Sequence, residues 1–482
     1  MPTVHSPGER RRWLALYVLC LGVLMIVLDT TIVNVALPSI RADLGFSDAR
    51  LSWVVNAYML TFGGFLLLGG RLGDLFGQRR MFLLGTAFFT LTSVGCGLAS
   101  TQALLVAARA VQGLGGAVMN AVALSLIVSL FTTRGDRARA LAIYGFVCAS
   151  GGSIGVLLGG LLTSTLNWHW VFLVNLPVGA AVFALCRRLV PEGRGTAAGA
   201  RLDVGGAASV TAALMLAVYA IVNTSSAGWS SRRTLTLLGA AAALFVLFLA
   251  LEMRVREPLV PLRLFRLRNL AIANVVGALW AAGMFAWFFM SALYMQLVLG
   301  YDALRVGLAF LPANLIMAAF SLSLSARVVM RFGLRRPLTA GLMLAAAGLA
   351  LFARAPVAGS FISDVLPPMV LLGVGAGLGF NPVLLAAMGD VRAEESGLAS
   401  GIVNTSFLLG GSLGLATLAS LAATRTAAVL AAGADHSAAL AAGYGLAFLV
   451  AALFAGAGGL LGGALLRSGA RPGAATLGEQ AR

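Results

Sequence analysis

Apolar residues lie in long runs along this chain, and short segments rich in Arg, Gly or Pro separate the runs. Because a membrane-spanning helix needs roughly twenty mostly apolar residues, the runs predict helices that cross a lipid bilayer. Fourteen spans are predicted: 13–37, 51–70, 81–99, 103–130, 140–164, 169–188, 204–222, 234–252, 270–297, 305–327, 337–353, 365–388, 397–423 and 440–466. We therefore expect an all-α integral membrane protein with fourteen transmembrane helices.

Composition agrees with a membrane location. Of the 482 residues, 60% are hydrophobic and 11% are charged, and the mean hydropathy is +0.94. A soluble globular protein carries about 25% charged residues. Since the segments between the apolar runs are too short for a soluble domain, the lipid bilayer is expected to be the protein's main environment.

The net charge of +17 invites a nucleic-acid-binding interpretation, but the positions of the arginines oppose it. If the N terminus is cytoplasmic, 26 of the 34 basic residues fall in cytoplasmic segments and 7 fall on the other side, with Arg109 inside a span. This asymmetry is the positive-inside pattern of membrane proteins. It predicts that both termini are cytoplasmic and that the protein binds no nucleic acid.

Two of the predicted cytoplasmic loops are similar to each other. Residues 70–80 read GRLGDLFGQRR and residues 325–336 read SARVVMRFGLRR, and an alignment of Gly77 with Gly333 also pairs the two double arginines. Each loop follows the second helix of a block of six, and secondary transporters are often built from such repeats. The predicted organisation is an N-terminal six-helix bundle over 1–190, a linker with two extra membrane helices over 191–269, and a C-terminal six-helix bundle over 270–482.

The first of these loops is a candidate conformational latch. A glycine-rich turn with an acid and arginines can tie two helix ends together, and an acid can interact with the positive end of a helix. The alternative is a plain cytoplasmic turn, which would explain the arginines but not the paired glycines and the acid. The candidate latch residues are Gly70, Asp74, Gly77, Arg79 and Arg80.

Asp29 is the one charged residue in the first apolar run, WLALYVLCLGVLMIVLDTTIVNVAL. A carboxylate at mid-bilayer costs about 2.5–3.5 kcal/mol on insertion scales, so an acid kept there is a functional candidate. Burial favours the neutral acid, whereas water or a nearby cation favours the carboxylate. Asp29 is therefore a candidate proton site. The alternative is a permanently protonated acid that serves helix packing.

Arg109 lies well inside the fourth apolar run. On a helix, Gln112, Gly113, Gly116 and Asn120 lie near its direction and form a polar and small-residue stripe about 16 Å long. Such a stripe should face a water-filled cavity. The alternative is an arginine that holds helices together by donating to backbone carbonyls.

Motifs along nearly the whole chain resemble those of one family. GGRLGDLFGQRR (69–80) is similar to the cytoplasmic loop motif of the major facilitator superfamily, and LDTTIVNVALP (28–38) resembles the first-helix motif of its fourteen-helix drug:proton antiporters. ARAVQGLGGA (108–117) and GGSIGVLLGG (151–160) resemble their fourth-helix and fifth-helix motifs. Val156 stands where the fifth-helix motif usually has Pro, but its glycines, which allow close helix packing, are kept. These glycines are Gly151, Gly155, Gly159 and Gly160.

The resemblance implies a proton-coupled exporter of hydrophobic drugs or antibiotics that works by alternating access in a bacterial cytoplasmic membrane. It implies that Asp29 and Arg109 couple transport to protons, that the proton gradient replaces any cofactor, and that the protein is a monomer. One further departure is His169, where Arg is usual. The alternative function is transport of a specific metabolite or lipid with other coupling. Because the sequence has no nucleophile–base cluster and no metal-ligand spacing, no enzyme activity is expected.

Several polar, aromatic and methionine residues inside the spans are candidates for the substrate cavity. Aromatic and Met side chains suit a broad, adaptable drug pocket. Packing within the protein or contact with lipid is the alternative for each of them. The candidates are Asn34, Gln112, Asn120, Trp280, Met284, Trp287, Tyr294 and Gln296.

Overall fold

The computed structural model describes residues 7–131, 133–192, 203–255, 258, 260, 262–320, 325–391 and 396–466. In this part of the chain every regular element is a helix. The α-helices are α1 (Pro7–Leu44), α2 (Asp48–Leu51), α3 (Trp53–Phe76), α4 (Gln78–Gly97), α5 (Gln102–Leu130), α6 (Arg134–Thr165), α7 (Trp170–Leu173), α8 (Asn175–Leu189), α9 (Val204–Ala227), α10 (Arg232–Arg254), α11 (Arg268–Leu293), α12 (Ala303–Ala319), α13 (Ser325–Phe332), α14 (Arg335–Phe352), α15 (Leu366–Met388), α16 (Ser396–Ala431) and α17 (His436–Leu465). A 3₁₀ turn covers Leu262–Arg266, and π-helical turns cover Tyr294–Val298 and Phe361–Val365.

The all-helical prediction is confirmed for the described residues, and every predicted span overlaps one of these helices. Among the described residues, ten stretches are long and apolar enough to cross a membrane. Three shorter apolar helices there are Trp53–Leu66, Ile154–Thr165 and Ala303–Ala319. The bounds differ from the predicted ones, because α1 extends beyond 13–37 at both ends and the sixth span is broken into α7 and α8. The count of fourteen crossings stays a prediction.

Side chains at the helix starts accept the first free backbone N–H groups. The Thr101 hydroxyl accepts from the Leu104 N–H at 3.2 Å where α5 begins. The Asp302 carboxylate accepts from the Arg305 N–H at 2.7 Å where α12 begins. Ser, Thr, Asp and Asn are the preferred residues for this role, so these boundaries follow from local sequence.

The two similar loops share a backbone turn. Gly77 joins α3 to α4 with φ +93°, and Gly333 joins α13 to α14 with φ +76°. A side chain is strained at such positive φ angles, whereas glycine adopts them at little cost. The glycines that the sequence alignment paired therefore make the same kind of turn.

The arginines that follow these turns also share a role. Arg79 Nη2 donates to the Arg187 carbonyl in the last turn of α8 at 2.5 Å. Arg335 Nε donates to the Gly463 carbonyl near the end of α17 at 2.8 Å. Arg335 Nη2 also donates to the Ala464 carbonyl at 3.0 Å. The last carbonyls of a helix lack partners within the helix, so Arg79 satisfies one of them on α8 and Arg335 satisfies two on α17.

Glycines bring α1 and α6 into close contact. A Cβ on Gly151 would lie 2.8 Å from Val27 Cγ1, and one on Gly159 would lie 2.6 Å from the Ile32 carbonyl oxygen. A Cβ on Gly155 would overlap the Thr31 hydroxyl. The regular spacing of these glycines along α6 leaves a groove into which α1 packs, as small residues allow at helix interfaces in membranes.

We call α1–α8 the first half and α11–α17 the second half. The halves are in contact near one end of the bundle and also mid-way along α3, where a Cβ on Gly63 would lie 3.1 Å from Leu408 Cβ of α16. We call the end where α1 finishes the distal face, and the end where α1 begins the terminal face. Near the distal face, Gln296 Nε2 donates to the Val35 carbonyl at 3.0 Å across the halves. There, too, Gly160 of α6 packs so closely on α12 that a Cβ would lie 2.6 Å from the Ala303 carbonyl oxygen.

Helix α9 of the linker touches both halves. The Thr211 hydroxyl packs directly against Gly64 of α3. The Thr224 and Ser420 hydroxyls lie 2.5 Å apart, which joins α9 to α16. A small apolar cluster also contains side chains of α3, α9, α10 and α16, so the linker pair lies against the seam between the halves.

Candidate coupling site in the first half

Asp29 and Arg109 form an ion pair inside the bundle. Asp29 of α1 is fully buried and Arg109 of α5 is 1% exposed. Arg109 Nη1 donates to Asp29 Oδ2 at 2.5 Å. The two candidate coupling residues therefore neutralise each other directly, which the sequence alone did not establish.

Two amide side chains complete the hydrogen bonding of the carboxylate. Gln112 Nε2 donates to Asp29 Oδ1 at 3.0 Å, and Asn175 Nδ2 donates to the same oxygen at 3.1 Å. Gln112 Oε1 in turn accepts from Arg109 Nη1 at 2.7 Å. One network thus connects α1, α5 and α8.

The network continues through Asn175 to two further helices. Asn175 Nδ2 also donates to Ser93 Oγ at 2.9 Å, and the Ser93 hydroxyl donates to the Phe172 carbonyl at 2.9 Å. Ser93 lies in α4 and Phe172 in α7. Five helices of the first half therefore take part in holding Asp29.

Arg109 is also fixed from the side of α3. Its Nε donates to the Val54 carbonyl at 3.0 Å. Its guanidinium lies 4.3 Å from the centre of the Tyr58 ring and 5.5 Å from that of Phe172, within range of cation–π attraction. The bond to a backbone carbonyl matches the alternative of an arginine that holds helices together. The predicted stripe does not face a cavity at Gly113 and Gly116, because these glycines pack against Thr61 and Tyr58 of α3.

Hydrogen-bond donors surround the Asp29 carboxylate. Three N–H groups point at its two oxygens, and Arg109 has this carboxylate as its counter-charge inside the bundle. Leaving one charge of a buried pair uncompensated typically costs about 3–5 kcal/mol, so removal of the negative charge at Asp29 would disturb the contacts between α1, α5 and α8.

Comparison with known proteins identifies the family. Residues 19–415 match the sequence profile of the Major Facilitator Superfamily. The chain belongs to this superfamily. It is a membrane transporter and not an enzyme, as its relatives are resistance and export proteins of the same superfamily.

Several curated relatives of the transporter are named for antibiotics. The puromycin resistance protein pur8 of Streptomyces alboniger is 39% identical over 430 residues, which is 89% of this chain and 84% of that protein. The cephamycin export protein CmcT of Amycolatopsis lactamdurans is 38% identical, over 91% of this chain and 90% of that protein. The tetracenomycin C resistance and export protein of Streptomyces glaucescens is 34% identical, over 87% of this chain and 78% of that protein.

Solved structures of other transporters share the fold. A bacterial homologue of the human lysosomal transporter Spinster, in an inward-facing and unoccupied conformation, aligns over 95% of this chain and 98% of its own with a TM-score of 0.67 and 17% identity. An autoinhibited POT family peptide transporter aligns over 94% and 96% with a TM-score of 0.65 and 18% identity. At this level of identity the likeness shows the fold alone.

The transporter places most of the substrate-cavity candidates of the second half in packed surroundings. Trp280 and Trp287 of α11 are buried, and Trp287 lies 6.3 Å from the Phe310 ring. Tyr294 is buried and donates to the Pro356 carbonyl at 2.7 Å. Met284 is half-buried against the main apolar cluster. Packing therefore accounts for much of their environment, and a role in substrate binding stays a prediction.

The remaining four candidates lie in different environments. Gln112 belongs to the Asp29 network, and Gln296 bridges the halves near the distal face. Asn34 is buried and donates to the Thr30 carbonyl of its own helix at 3.3 Å, whereas Asn120 is half-buried. The set is thus spread over the bundle, and the structure does not gather it into one cavity.

The candidate latch has a partner that the sequence did not predict. Arg79 forms an ion pair with Glu192, just beyond α8, in addition to its bond to the Arg187 carbonyl. Arg80 is exposed, and Gly70 has no atoms of other residues where a Cβ would be. The Asp74 side chain lies outside the described residues. A latching role for this loop stays a prediction.

Sequence reasoning missed Asn175 and Ser93. Asn175 lies in the segment NWHWVFLVNLPVG (167–179), and an amide in an apolar span was the available signal. Ser93 carried no signal, because serine is common in membrane helices and only the three-dimensional contact shows its role. The buried amides of Asn56 and Asn314 and the indole N–H groups of Trp280 and Trp287 have no hydrogen-bond partner among the described residues.

Proposed function

We propose that this transporter exports hydrophobic antibiotics in exchange for protons, and that it crosses the membrane fourteen times with both termini in the cytoplasm. The observation that carries the proposal is the fully buried Asp29–Arg109 ion pair with its two amide donors. Antibiotic export is supported by the relatives named for puromycin, cephamycin and tetracenomycin C.

Proton coupling follows from the way Asp29 joins helices. When Asp29 is ionised, it binds α5 through Arg109 and Gln112 and α8 through Asn175. A proton from outside discharges the carboxylate, weakens these contacts and lets the first half change its packing. Release of that proton to the cytoplasm restores the pair. In this cycle the state with the pair intact is the one that takes up a drug from the cytoplasm.

The membrane potential supplies energy for this exchange. Each charge that crosses the membrane contributes about 2.3 kcal/mol per 100 mV. For a neutral compound exchanged with one proton, this supports roughly a fifty-fold concentration ratio, since about 1.4 kcal/mol corresponds to a factor of ten. A single proton site is therefore enough for useful export.

Polar atoms without partners favour a mostly apolar substrate that carries a few polar groups. Asn56 of α3, Trp280 of α11 and Asn314 of α12 are at most 1% exposed and leave hydrogen-bonding atoms free among the described residues. Buried polar groups are normally paired. A bound drug with amide, hydroxyl or carbonyl groups would provide partners, while its apolar parts contact the surrounding helices.

The test is transport by purified protein in proteoliposomes under an imposed pH gradient. The compounds are puromycin, a cephamycin, tetracenomycin C and the dye ethidium. Wild-type protein should export at least one of them only when the gradient is present, and Asp29→Asn should abolish this dependence. Asp435→Asn serves as the matched control, because Asp435 is an acid that caps α17 at its start.

The outcomes separate the possible failures. Proton-driven export by Asp29→Asn at the wild-type rate would remove Asp29 from the mechanism. Transport by the wild type that ignores the gradient would contradict antiport. Failure to transport any of the compounds would favour the alternative of a specific metabolite or lipid as substrate.

A further inference from the structure

An open cavity lies at the distal face within the first half of the chain. Its volume is about 520 Å³. Its wall is formed by the end of α1, the end of α4 with the residues after it, and the segment that contains α7. At about 30 Å³ per molecule, several waters fit in this space.

Two titratable side chains line the cavity, Asp43 from α1 and His169 from the start of α7, and the α4 side contributes Gly97 and Ser100 without a charge. Asp43 Oδ2 accepts from Trp168 Nε1 at 3.0 Å, and His169 Nε2 lies 3.9 Å from the same oxygen. Histidine is the side chain that exchanges a proton most readily near neutral pH. The lining thus combines a carboxylate, which attracts cations, with a group that can pass protons on.

Part of the cavity lining adjoins the Asp29 network along the chain. The two lining residues concerned are Gly97 and Leu173, which we call the floor, and a Cβ on Gly97 would lie 2.7 Å from Leu173 Cγ. Ser93 lies four residues before Gly97 on α4, a distance of about 6 Å along the helix. Ser93 bonds to the Phe172 carbonyl and accepts from Asn175, which donates to Asp29.

The cavity is open although the halves are in contact near the distal face. Gln296 bonds to Val35, and Gly160 packs against Ala303, at the seam between the halves. The cavity lies entirely within the first half, so this contact does not cover it. Water at the distal face can therefore enter this cavity without passing between the halves.

We propose that this cavity is the entrance through which protons reach Asp29, separate from the exit of the drug. The inference rests on the proposed antiport. A hydronium ion enters from the distal water, and its proton passes to water at the floor. From there it reaches Asp29 when Leu173 moves aside and admits water beside Ser93. The carboxylate gains the proton, Arg109 loses its counter-charge, and no covalent bond other than that to the proton forms or breaks.

The test blocks the cavity reversibly. Ser100→Cys places a thiol in its wall, and benzyl methanethiosulfonate added from the distal side fills the space until a reducing agent removes it. Ser164→Cys is the control, because Ser164 is exposed near the distal end of α6 and is not part of the lining. Two readouts are compared in proteoliposomes with an exported compound: proton flux driven by the drug gradient, and exchange of labelled for unlabelled drug without a proton gradient.

We expect modification of Ser100→Cys to slow drug-driven proton flux by roughly tenfold, the effect of a barrier raised by about 1.4 kcal/mol. Drug–drug exchange should continue, and reduction should restore the proton flux. His169→Gln should slow proton flux in the same selective way. If proton flux stays at its wild-type value in fully modified Ser100→Cys, the cavity is not the proton entrance. That result would not contradict the proposed antiport. If the unmodified wild type moves no protons with drug, the proposed function fails and the entrance fails with it.

Discussion

Asn175 donates a hydrogen bond to the Asp29 carboxylate at 3.1 Å and uses the same amide nitrogen to reach Ser93 at 2.9 Å. The asparagine is the first residue of α8 and the aspartate lies in α1. A residue of α8, the last helix of the first half, therefore holds an acid of α1, its first helix.

Substitution of Asn175 should weaken the first half. Asn175→Leu keeps a similar volume but leaves Asp29 with fewer donors and Ser93 without a donor. A buried polar group that loses its partner costs about 1–3 kcal/mol, so thermal unfolding in detergent should begin at a lower temperature. Asn34→Leu is the control, because Asn34 donates only within its own helix, to Thr30. Equal unfolding temperatures for the two variants would contradict the prediction.

The groove between α1 and α6 should not tolerate an added methyl group at Gly155. A Cβ there overlaps the Thr31 hydroxyl, whereas nothing lies within 4 Å of a Cβ on Gly152. Overpacking typically costs about 1–3 kcal/mol, so Gly155→Ala should lower the unfolding temperature and Gly152→Ala should not. Removal of the hydroxyl in the double variant Gly155→Ala/Thr31→Ala should recover stability. A double variant as unstable as Gly155→Ala would show that the clash lies elsewhere.

The arginines that donate to carbonyls at helix ends should contribute more to stability than the arginines next to them. Arg79→Ala and Arg335→Ala each remove a donor to the carbonyls of α8 or α17, which should cost about 1 kcal/mol. Arg80→Ala and Arg336→Ala remove exposed arginines of the same double-arginine pairs and should have little effect. Guanidinium chloride or heat denaturation of all four variants compares them directly, and equal losses within a pair would refute the assignment.

The variant Glu192→Gln measures what the ion pair between Arg79 and Glu192 contributes to stability. The Glu192 side chain is 87% exposed, and ion pairs at the surface contribute little to stability. We therefore expect unfolding of Glu192→Gln to match the wild type within error. A loss as large as that of Arg79→Ala would mean that the ion pair, and not the bond to the helix carbonyl, holds this loop.

Gln296→Leu should shift the balance between conformations. The variant loses the hydrogen bond from Gln296 to Val35 that joins the halves near the distal face. One hydrogen bond contributes about 0.5–1.5 kcal/mol, which changes a two-state ratio by up to roughly tenfold. Spin labels at Ala42→Cys and Leu304→Cys, one in each half, should show a larger population at long distances. Gln102→Leu is the control, because Gln102 donates to Leu44 and Gly45 within one half.

Much of the fold could be predicted from the sequence because a bilayer permits few backbone structures. Unpaired backbone groups are costly in lipid, so apolar runs become helices. The glycines paired by the sequence alignment, Gly77 and Gly333, both have positive φ angles, whereas the division into two six-helix bundles stays a prediction. The break between α7 and α8 was not predicted, because continuous hydrophobicity does not show where a helix bends.

The candidate site could be predicted from the sequence only in part. Asp29 and Arg109 stand out in the sequence because charged residues are rare in apolar membrane-spanning segments. Asn175 and Ser93 do not stand out, because neutral polar residues are common in such helices and their partners lie far away in the sequence. Trp287 shows the same limit. Its side chain packs near Phe310, but a hydrophobic pattern in the sequence cannot tell a packed tryptophan from one that faces a substrate.

Helix α9 contacts α3 through Thr211 at Gly64 and contacts α16 through Thr224 at Ser420. A change in the angle between the halves would therefore have to break or shift at least one of these two contacts. Helix α9 would either travel with one half and slide along the other, or leave both.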